Sequence, residues 1–403
     1  MRKMKDSGVA WIGEMPEDWT VKRGKFTLKL LNRPVKETDD VITCFRDGEV
    51  TLRTNRRTDG FTVSVKEIGY QGIEPGDLVI HGMDGFAGSI GISDSRGKSS
   101  PVLVVCDTDE NKRYIMYYLR SMAYNDVFTA LATGIRVRSC DLRWNKLAEL
   151  PYILPSLEEQ NQIVLAIESS TSKVDALIAN VQAQIEKLKT YKQSLITEVV
   201  TKGLDPNVPM KDSGVEWIGK IPKHWNMIRF RFIAKITTGN QDTQNADPDG
   251  MYPFYVRSPI VERCNNYTFE GKGILMAGDG AGAGRVFHLV NGKYAVHQRV
   301  YRFYDFKYMN PVLLKFYLEN LFATVMDYGS AKTTVPSVRL PMIQDFPVCV
   351  PPEDEQLKML EVLSEKTNKI DQFIAVKQTK SEKLEQYKRS LIYEYVTGKK
   401  EVS

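Results

Sequence analysis

Residues 158–201, EEQNQIVLAIESSTSKVDALIANVQAQIEKLKTYKQSLITEVVT, return 196 positions later as residues 354–397, DEQLKMLEVLSEKTNKIDQFIAVKQTKSEKLEQYKRSLIYEYVT. The identities fall in register, among them Glu159/Glu355, Gln160/Gln356, Lys173/Lys369, Asp175/Asp371, Tyr191/Tyr387, Lys192/Lys388, Leu195/Leu391 and Thr201/Thr397. Neither copy contains Gly or Pro. Apolar residues recur at 4-3 spacing in the first: Ile163, Ile167, Val174, Leu177, Val181, Leu188, Tyr191 and Leu195. That period predicts a helix with one apolar seam. Ser156 is placed as N-cap, with Glu159 three residues on completing a capping box. Gly203 and Pro206 end the first helix and Gly398 the second. A helix of this length spans roughly 66 Å. It cannot cover its seam by itself, and its own repeat is the economical partner, as an antiparallel pair. Lys377 and Lys380 replace Val181 and Gln184, so the second seam is the weaker.

A second repeat opens each half. KDSGVAWIGEMPEDW (5–19) and KDSGVEWIGKIPKHW (211–225) agree at ten of fifteen positions, including Trp11/Trp217 and Trp19/Trp225. Here the offset is 206, so the halves differ by about ten residues in their middles. The tryptophans are expected to pack the segment onto the helix pair or the next domain rather than to stack on a ligand. Each middle reads as mixed α/β, with β-rich runs GDLVI (76–80), PVLVVC (101–106), GILMAG (273–278) and YAVHQRVYRF (294–303). Each also carries a helical stretch, YIMYYLRSM (114–122) and PVLLKFYLENL (311–321). The outlines match, the sequences barely do.

Composition sets the outer limits. The chain has 403 residues, is 42% hydrophobic and carries a formal net charge of +5. This accommodates two or more domains and permits a nucleic-acid partner without requiring one. Five dispersed cysteines without a C-x-x-C spacing suggest reduced core thiols and a cytoplasmic location. The first residues lack the apolar core of a secretory signal, and no run approaches the length of a membrane span.

The G-V-x-W-I-G-x-x-P-x-x-W openings, the L-P-x-L-x-E-Q entry into the helix and the Y-K-x-S-L-I-x-E-x-V-T exit resemble the specificity subunit of type I restriction-modification systems. The resemblance covers the whole chain, both copies in order. In the second copy Tyr328-Gly329 replaces Thr133-Gly134, and Pro352-Glu353 replaces Ser156-Leu157. The fold class implied is α+β: two mixed α/β target-recognition domains separated by two long antiparallel, coiled-coil-like helices, with a pseudo-two-fold internal repeat. The chain then divides into an opening segment (1–19), a first recognition domain (20–152), a central helix (153–203), a connector repeating the opening (204–225), a second recognition domain (226–348) and a C-terminal helix (349–403). Each recognition domain would read one half of a split, asymmetric DNA sequence. The helices would set the spacer and dock two methyltransferase subunits, with motor-nuclease subunits completing a cleaving complex. S-adenosylmethionine, ATP and Mg would belong to those partners and none to this chain.

A search for catalytic motifs agrees with a non-catalytic subunit. ILMAGDGAGAGRV (274–286) has the glycines of a nucleotide loop, but its counterpart LVIHGMDGFAGSIGI (78–92) lacks their spacing and no helix follows either. Both are read as β-hairpins. Gly97-Lys98-Ser99 fails as a P-loop because Ile92 stands where a glycine is required. The four histidines and the cysteines show no metal-ligand spacing. Two other readings remain: a methyltransferase or nuclease with a site inside one middle, and a coiled-coil scaffold.

Base readout needs Arg for guanine and Asn or Gln for adenine. The candidates in the first middle are Arg53, Asn55, Arg56 and Arg57, with Arg136 and Arg138 after Thr133-Gly134. In the second they are Asn240, Gln241, Gln244 and Asn245, then Arg285 in the glycine run, with Lys332 and Thr333 after Tyr328-Gly329. An arginine-rich loop and an amide-rich loop predict two different half-sites. Lys187, Lys189 and Lys192 on the helix are expected to be solvated or to face a partner.

Overall fold

The computed structural model describes residues 2–56, 67–131, 142–329 and 336–402, with backbone alone over 325–329. Two compact units emerge, one from residues 1–182 with 379–403, the other from residues 183–378. Each long helix therefore contributes one half to each unit. The first helix runs Leu157–Lys202 and the second Glu353–Val396, within a residue or two of expectation.

Within each unit the two helix halves lie antiparallel, and the seam explains why. In the first helix Gln160, Ile163, Ile167, Thr171, Val174, Ile178, Val181 and Ile185 are buried, at steps of three and four that alternate from Thr171 onward. The second helix buries Gln356, Met359, Leu363, Thr367, Ile370 and Ile374, the same heptad positions 196 residues on. Leu177 and Tyr191, expected in the seam, are half exposed. For Leu177 the next residue, Ile178, takes the inward place, and beyond Tyr191 the seam is resumed by Leu195. The weak point behaves as expected from composition: Lys377 is only partly buried and donates to the Gln184 side chain.

Ion pairs fix the register. Lys388 Nζ lies 2.5 Å from Asp175 in the first unit, and Lys192 Nζ 2.6 Å from Asp371 in the second. Asp175/Asp371 and Lys192/Lys388 are repeat mates, so one bond is made twice. Lys192, expected to be solvated or partner-facing, is thus committed within its own unit.

The repeated ends serve the helix N-termini. Ser156 Oγ accepts from the Glu159 N–H at 3.2 Å, the N-cap expected. The reciprocal half of the box is not made. The Glu159 carboxylate instead accepts from Trp19 Nε1 at 3.1 Å and pairs with Arg2. Glu355 accepts from Trp225 Nε1 at 2.9 Å in the same way. Trp19 and Trp225 are buried, so these rings pack within their units as expected.

Gln160 and Gln356 are buried amides with every group engaged. Gln160 Oε1 accepts from the Asn111 N–H (2.9 Å), and its Nε2 donates to the Pro155 carbonyl (3.1 Å) and to Glu110 (2.7 Å). Gln356 Oε1 accepts from the Asn310 N–H (2.8 Å), and its Nε2 donates to the carbonyls of Pro351 (2.9 Å) and Tyr308 (2.8 Å). Asn111 and Asn310 open the domain helices Lys112–Tyr124 and Pro311–Gly329. Each glutamine therefore ties a domain helix to a long helix. Further along, Tyr118 donates to the Pro151 carbonyl (2.7 Å) and Tyr317 to that of Pro347 (3.1 Å).

The middles share a topology that their sequences hide. The main sheet of the first unit has the order Lys29–Leu30, Leu103–Asp107, Leu78–His81, Ile90–Ile92, all antiparallel. In the second unit Lys235–Thr238, Val300–Tyr304, Gly273–Ala277 and Phe287–Val290 repeat it. Residues 274–286 and 78–92 are thus hairpins, as read. A smaller sheet in the second unit pairs Tyr252–Tyr255 antiparallel with Glu262–Cys264 and parallel with Lys293–Val296, which also pairs with Phe269–Glu270. The first unit has the same pieces as two hydrogen-bonded pairs, Ile42–Cys44 with Val50–Leu52 and Gly97–Ser99 with Gln71–Ile73, joined by a parallel bridge from Val41 to Lys98. YAVHQRVYRF is not one strand. It breaks at His297-Gln298-Arg299, and its two parts enter different sheets. Among the described residues, no helix is long and apolar enough to cross a membrane.

Two predictions follow from burial. Gln356→Ala strands one N–H and two carbonyls and should cost about 2–3 kcal/mol in denaturant unfolding; a loss under about 0.5 kcal/mol would mean the tie is dispensable. Cys44, Cys106, Cys264 and Cys349 are buried free thiols. Burial pushes Cys44 and Cys106 up to about 12 and Cys349 to about 11. In a Cys140→Ser variant these three should resist a thiol reagent at pH 8 and label only after denaturant is added; labelling of the native chain at any of them would contradict their placement.

Candidate nucleic-acid interface

In the first unit the arginine-rich loop follows strand Val50–Leu52 and begins as a 3-10 turn, Arg53–Asn55. Its side chains are largely engaged with the unit itself. Arg53 Nε donates to Thr43 Oγ1 at 3.4 Å, and Asn55 Nδ2 donates to Thr51 Oγ1 at 2.7 Å. Arg56 pairs with Asp47 (2.6 Å) and Glu49 (2.9 Å) and sits 4.2 Å over the Phe45 ring. Arg57, Arg136 and Arg138 lie outside the described residues.

In the second unit the amide loop precedes strand Tyr252–Tyr255. Its position is not equivalent to that of the arginine loop, which follows the second strand of its small sheet. Asn240 and Gln244 are exposed. Gln241 is held by its backbone, donating to the Val296 carbonyl (3.2 Å) and accepting from the Gln298 N–H (2.8 Å). Asn245 Oδ1 accepts from the Asp242 N–H at 2.8 Å, closing a capping box. That use makes Asn245 a loop-shaping residue. Arg285 is exposed on the hairpin. Lys332 and Thr333 lie outside the described residues.

Sequence reading missed a set of side chains at the hairpin tips. Arg257 Nη1 lies 3.0 Å from Asp279 Oδ1, and Arg299 Nε 3.8 Å from its Oδ2. Gln298 Nε2 donates to Asp242 at 2.7 Å, joining the amide loop to the same turn. In the first unit Arg46 Nη2 lies 3.1 Å from Asp84. The available signal was the polar pair Gln298-Arg299 interrupting an apolar run, which marks a turn between strands. The histidines here serve the turns: His297 Nδ1 accepts from the Arg299 N–H at 3.0 Å, and His81 Nδ1 from the Asp84 N–H at 2.9 Å. Burial lowers the pKa of both, which favours the neutral acceptor form.

Residues 222–386 match the family described as the type I restriction modification DNA specificity domain. The EcoDI type I restriction enzyme specificity subunit of Escherichia coli is 28% identical over 173 residues, 42% of this chain and 35% of that protein. The chain thus spans about a third of that relative, but nearly all of another. The putative MjaX type I restriction enzyme specificity subunit of Methanocaldococcus jannaschii is 23% identical over 96% of this chain and 95% of its own. A solved chain from a study of complex assembly and conformational transition in the type I R-M system shares the fold, with a TM-score of 0.70 at 14% identity over 95% of this chain and 99% of that one. Fold and comparisons define the class: an α+β protein with two duplicated mixed domains carried on long antiparallel helices. Within that class the chain is similar to the type I restriction-modification specificity subunits, the family its sequence resembles.

The amide loop depends on one close approach. A Cβ on Gly239 would stand 2.0 Å from the Val296 carbonyl oxygen and 2.5 Å from that of His297. Backbone cannot yield there, so Gly239→Ala should displace the loop and cost about 1–3 kcal/mol in thermal or denaturant unfolding; a variant as stable as the parent would refute this packing.

Proposed function

We propose that this chain is the DNA-recognition subunit of a type I restriction-modification complex, and that each compact unit reads one half of a bipartite, asymmetric site. The observation that carries the reading is the pairing of one topology with two unlike polar surfaces. Both units hold the same main sheet, domain helix and helix anchor. Yet the first presents an arginine-rich loop after its second small-sheet strand, and the second an amide-rich loop before its first. A scaffold gains nothing from that divergence, whereas two half-sites require it.

In this proposal the chain itself performs no covalent step. Its arginines and amides meet base edges in the major groove, and lysines and arginines on phosphates hold the register. The long helices separate the units and set the unread gap, and they dock two methyltransferase subunits. Those partners bring S-adenosylmethionine and flip the target adenine. Motor-nuclease subunits using ATP and Mg would add cleavage.

The direct test is co-expression with the cognate methyltransferase subunit and mapping of methylated adenines. A two-part, non-palindromic motif with a fixed gap is expected. A stable purified complex that methylates nothing would overturn the proposal. The gap itself can be edited. One heptad inserted after Gln182 and one after Gln378 keeps the seam in phase and adds about 10 Å. The gap should grow by about three base pairs at 3.4 Å each, with both half-sites intact. An unchanged gap in a folded insertion variant would remove the helices from that role.

A further inference from the structure

The glycine run 278–284 and its partner hairpin in the first unit have a common use. A Cβ on Gly278 would lie 2.8 Å from the Arg299 carbonyl oxygen, and one on Gly282 2.6 Å from that of Arg257. These glycines let the hairpin tip close on the backbones of two arginines, whose guanidinium groups converge on Asp279. In the first unit a Cβ on Gly88, which has φ +93°, would lie 3.0 Å from the Arg46 carbonyl oxygen, and Arg46 pairs with Asp84. The two arrangements are topological equivalents. Arg46 and Arg257 each stand two residues beyond the first small-sheet strand, Ile42–Cys44 or Tyr252–Tyr255. Asp84 and Asp279 each stand in the tip of the main-sheet hairpin.

The arginine side chains are open to solvent, 45% for Arg257, 66% for Arg299 and 58% for Arg46. Ion pairs so exposed add little stability, so stability does not explain their occurrence in both units. A guanidinium suits the guanine edge or a phosphate, and a carboxylate behind it fixes its direction and repels stray phosphate. We infer that Arg257 and Arg299 in the second unit, and Arg46 in the first, are specificity-determining DNA contacts, with Asp279 and Asp84 as positioning residues that restrain them until a cognate half-site competes for the guanidinium. The inference rests on the chain's being a DNA-recognition subunit.

The experiment separates the two ideas. The full chain is co-expressed with its methyltransferase subunit, and methylation is mapped for the parent and for Arg257→Ala, Arg299→Ala, Arg46→Ala and Asp279→Asn. The two second-unit arginine variants should lose discrimination at one half-site, by about 10-fold or more, and leave the other untouched. Arg46→Ala should do the same to the opposite half. Arg257→Lys keeps the charge and should still lose discrimination. Asp279→Asn should raise binding of the purified complex to an unrelated duplex by about 3- to 10-fold and steepen its salt dependence by roughly one unit per released arginine. Half-sites unchanged in arginine variants that melt like the parent would overturn the inference, as would an Asp279→Asn complex with unaltered binding to unrelated duplex. Should the parent complex yield no bipartite motif at all, the recognition reading falls first and takes the inference with it.

Discussion

Everything in this chain depends on covering an apolar stripe along helices of 46 and 44 residues. Burial of aliphatic side chains is non-directional and would accept many partners. What selects one arrangement is the 3-4 alternation, since knobs at Val174, Ile178 and Val181 need holes at the same spacing. The repeated sequence supplies those holes around Leu384 and Leu391, which pack in the same core as Val174 and Ile178. Charge then sets direction. The pairs Lys388–Asp175 and Lys192–Asp371 can both form only when the copies run antiparallel. Each is partly exposed and worth at most about 1 kcal/mol. Their weight is in penalising a shifted register, where like charges or unpaired lysines would meet the seam.

The ends of each half were legible because their residues do one local task. Glycine at positive φ ends each helix, at Gly203 (+80°) and Gly398 (+71°), as composition predicts. The tryptophan, glutamate and glutamine of the repeats were visible, yet their pairing was not. Glu159 was assigned to its own N-cap, and the structure gives it to Trp19 and Arg2, because a buried indole N–H has fewer places to go than a helix-terminal N–H that water can reach. The seam departs from the 4-3 reading at Leu177 for a related reason. Two neighbouring apolar residues fit the period equally well, and the partner helix, absent from a local window, decides between Leu177 and Ile178.

The middles were harder to read. Their strands are three to five residues long for the most part, too short for alternation to show, and the smaller sheet of the first unit is joined by a single bridge. Topology there is a consequence of many weak pairings. The candidate site suffered most. Composition marks a side chain as able to read a base, but only the fold shows whether it is already engaged. Asn55, Asn245 and Arg56 are committed within their own unit, whereas Arg299 lies inside a run that reads as strand and Arg257 in a stretch without a marked pattern.

The two units divide constraint from latitude in a way that physical chemistry makes necessary. A buried amide such as Gln160 or Gln356 has no tolerance, since each unmade bond strands a group away from water. The glutamine and the proline carbonyl it holds are accordingly kept in both halves, at Gln160 with Pro155 and Gln356 with Pro351, although Pro352-Glu353 stands where the first entry has Ser156-Leu157. Loops that end in solvent carry no such penalty, so arginines can stand in one and amides in another without cost to the fold. Between these extremes lie the hairpin tips. Their glycines differ in number and spacing, but each tip approaches a carbonyl closely: a Cβ would be forbidden at Gly282 and crowded, on a positive φ, at Gly88. Geometry is held at those points while sequence drifts around them. A protein that must keep two domains superposable in architecture and unlike in chemistry has to place its variation downstream of such contacts, and the arginines carried on the adjoining turns, Arg46 and Arg257, are where the shared backbone first meets solvent.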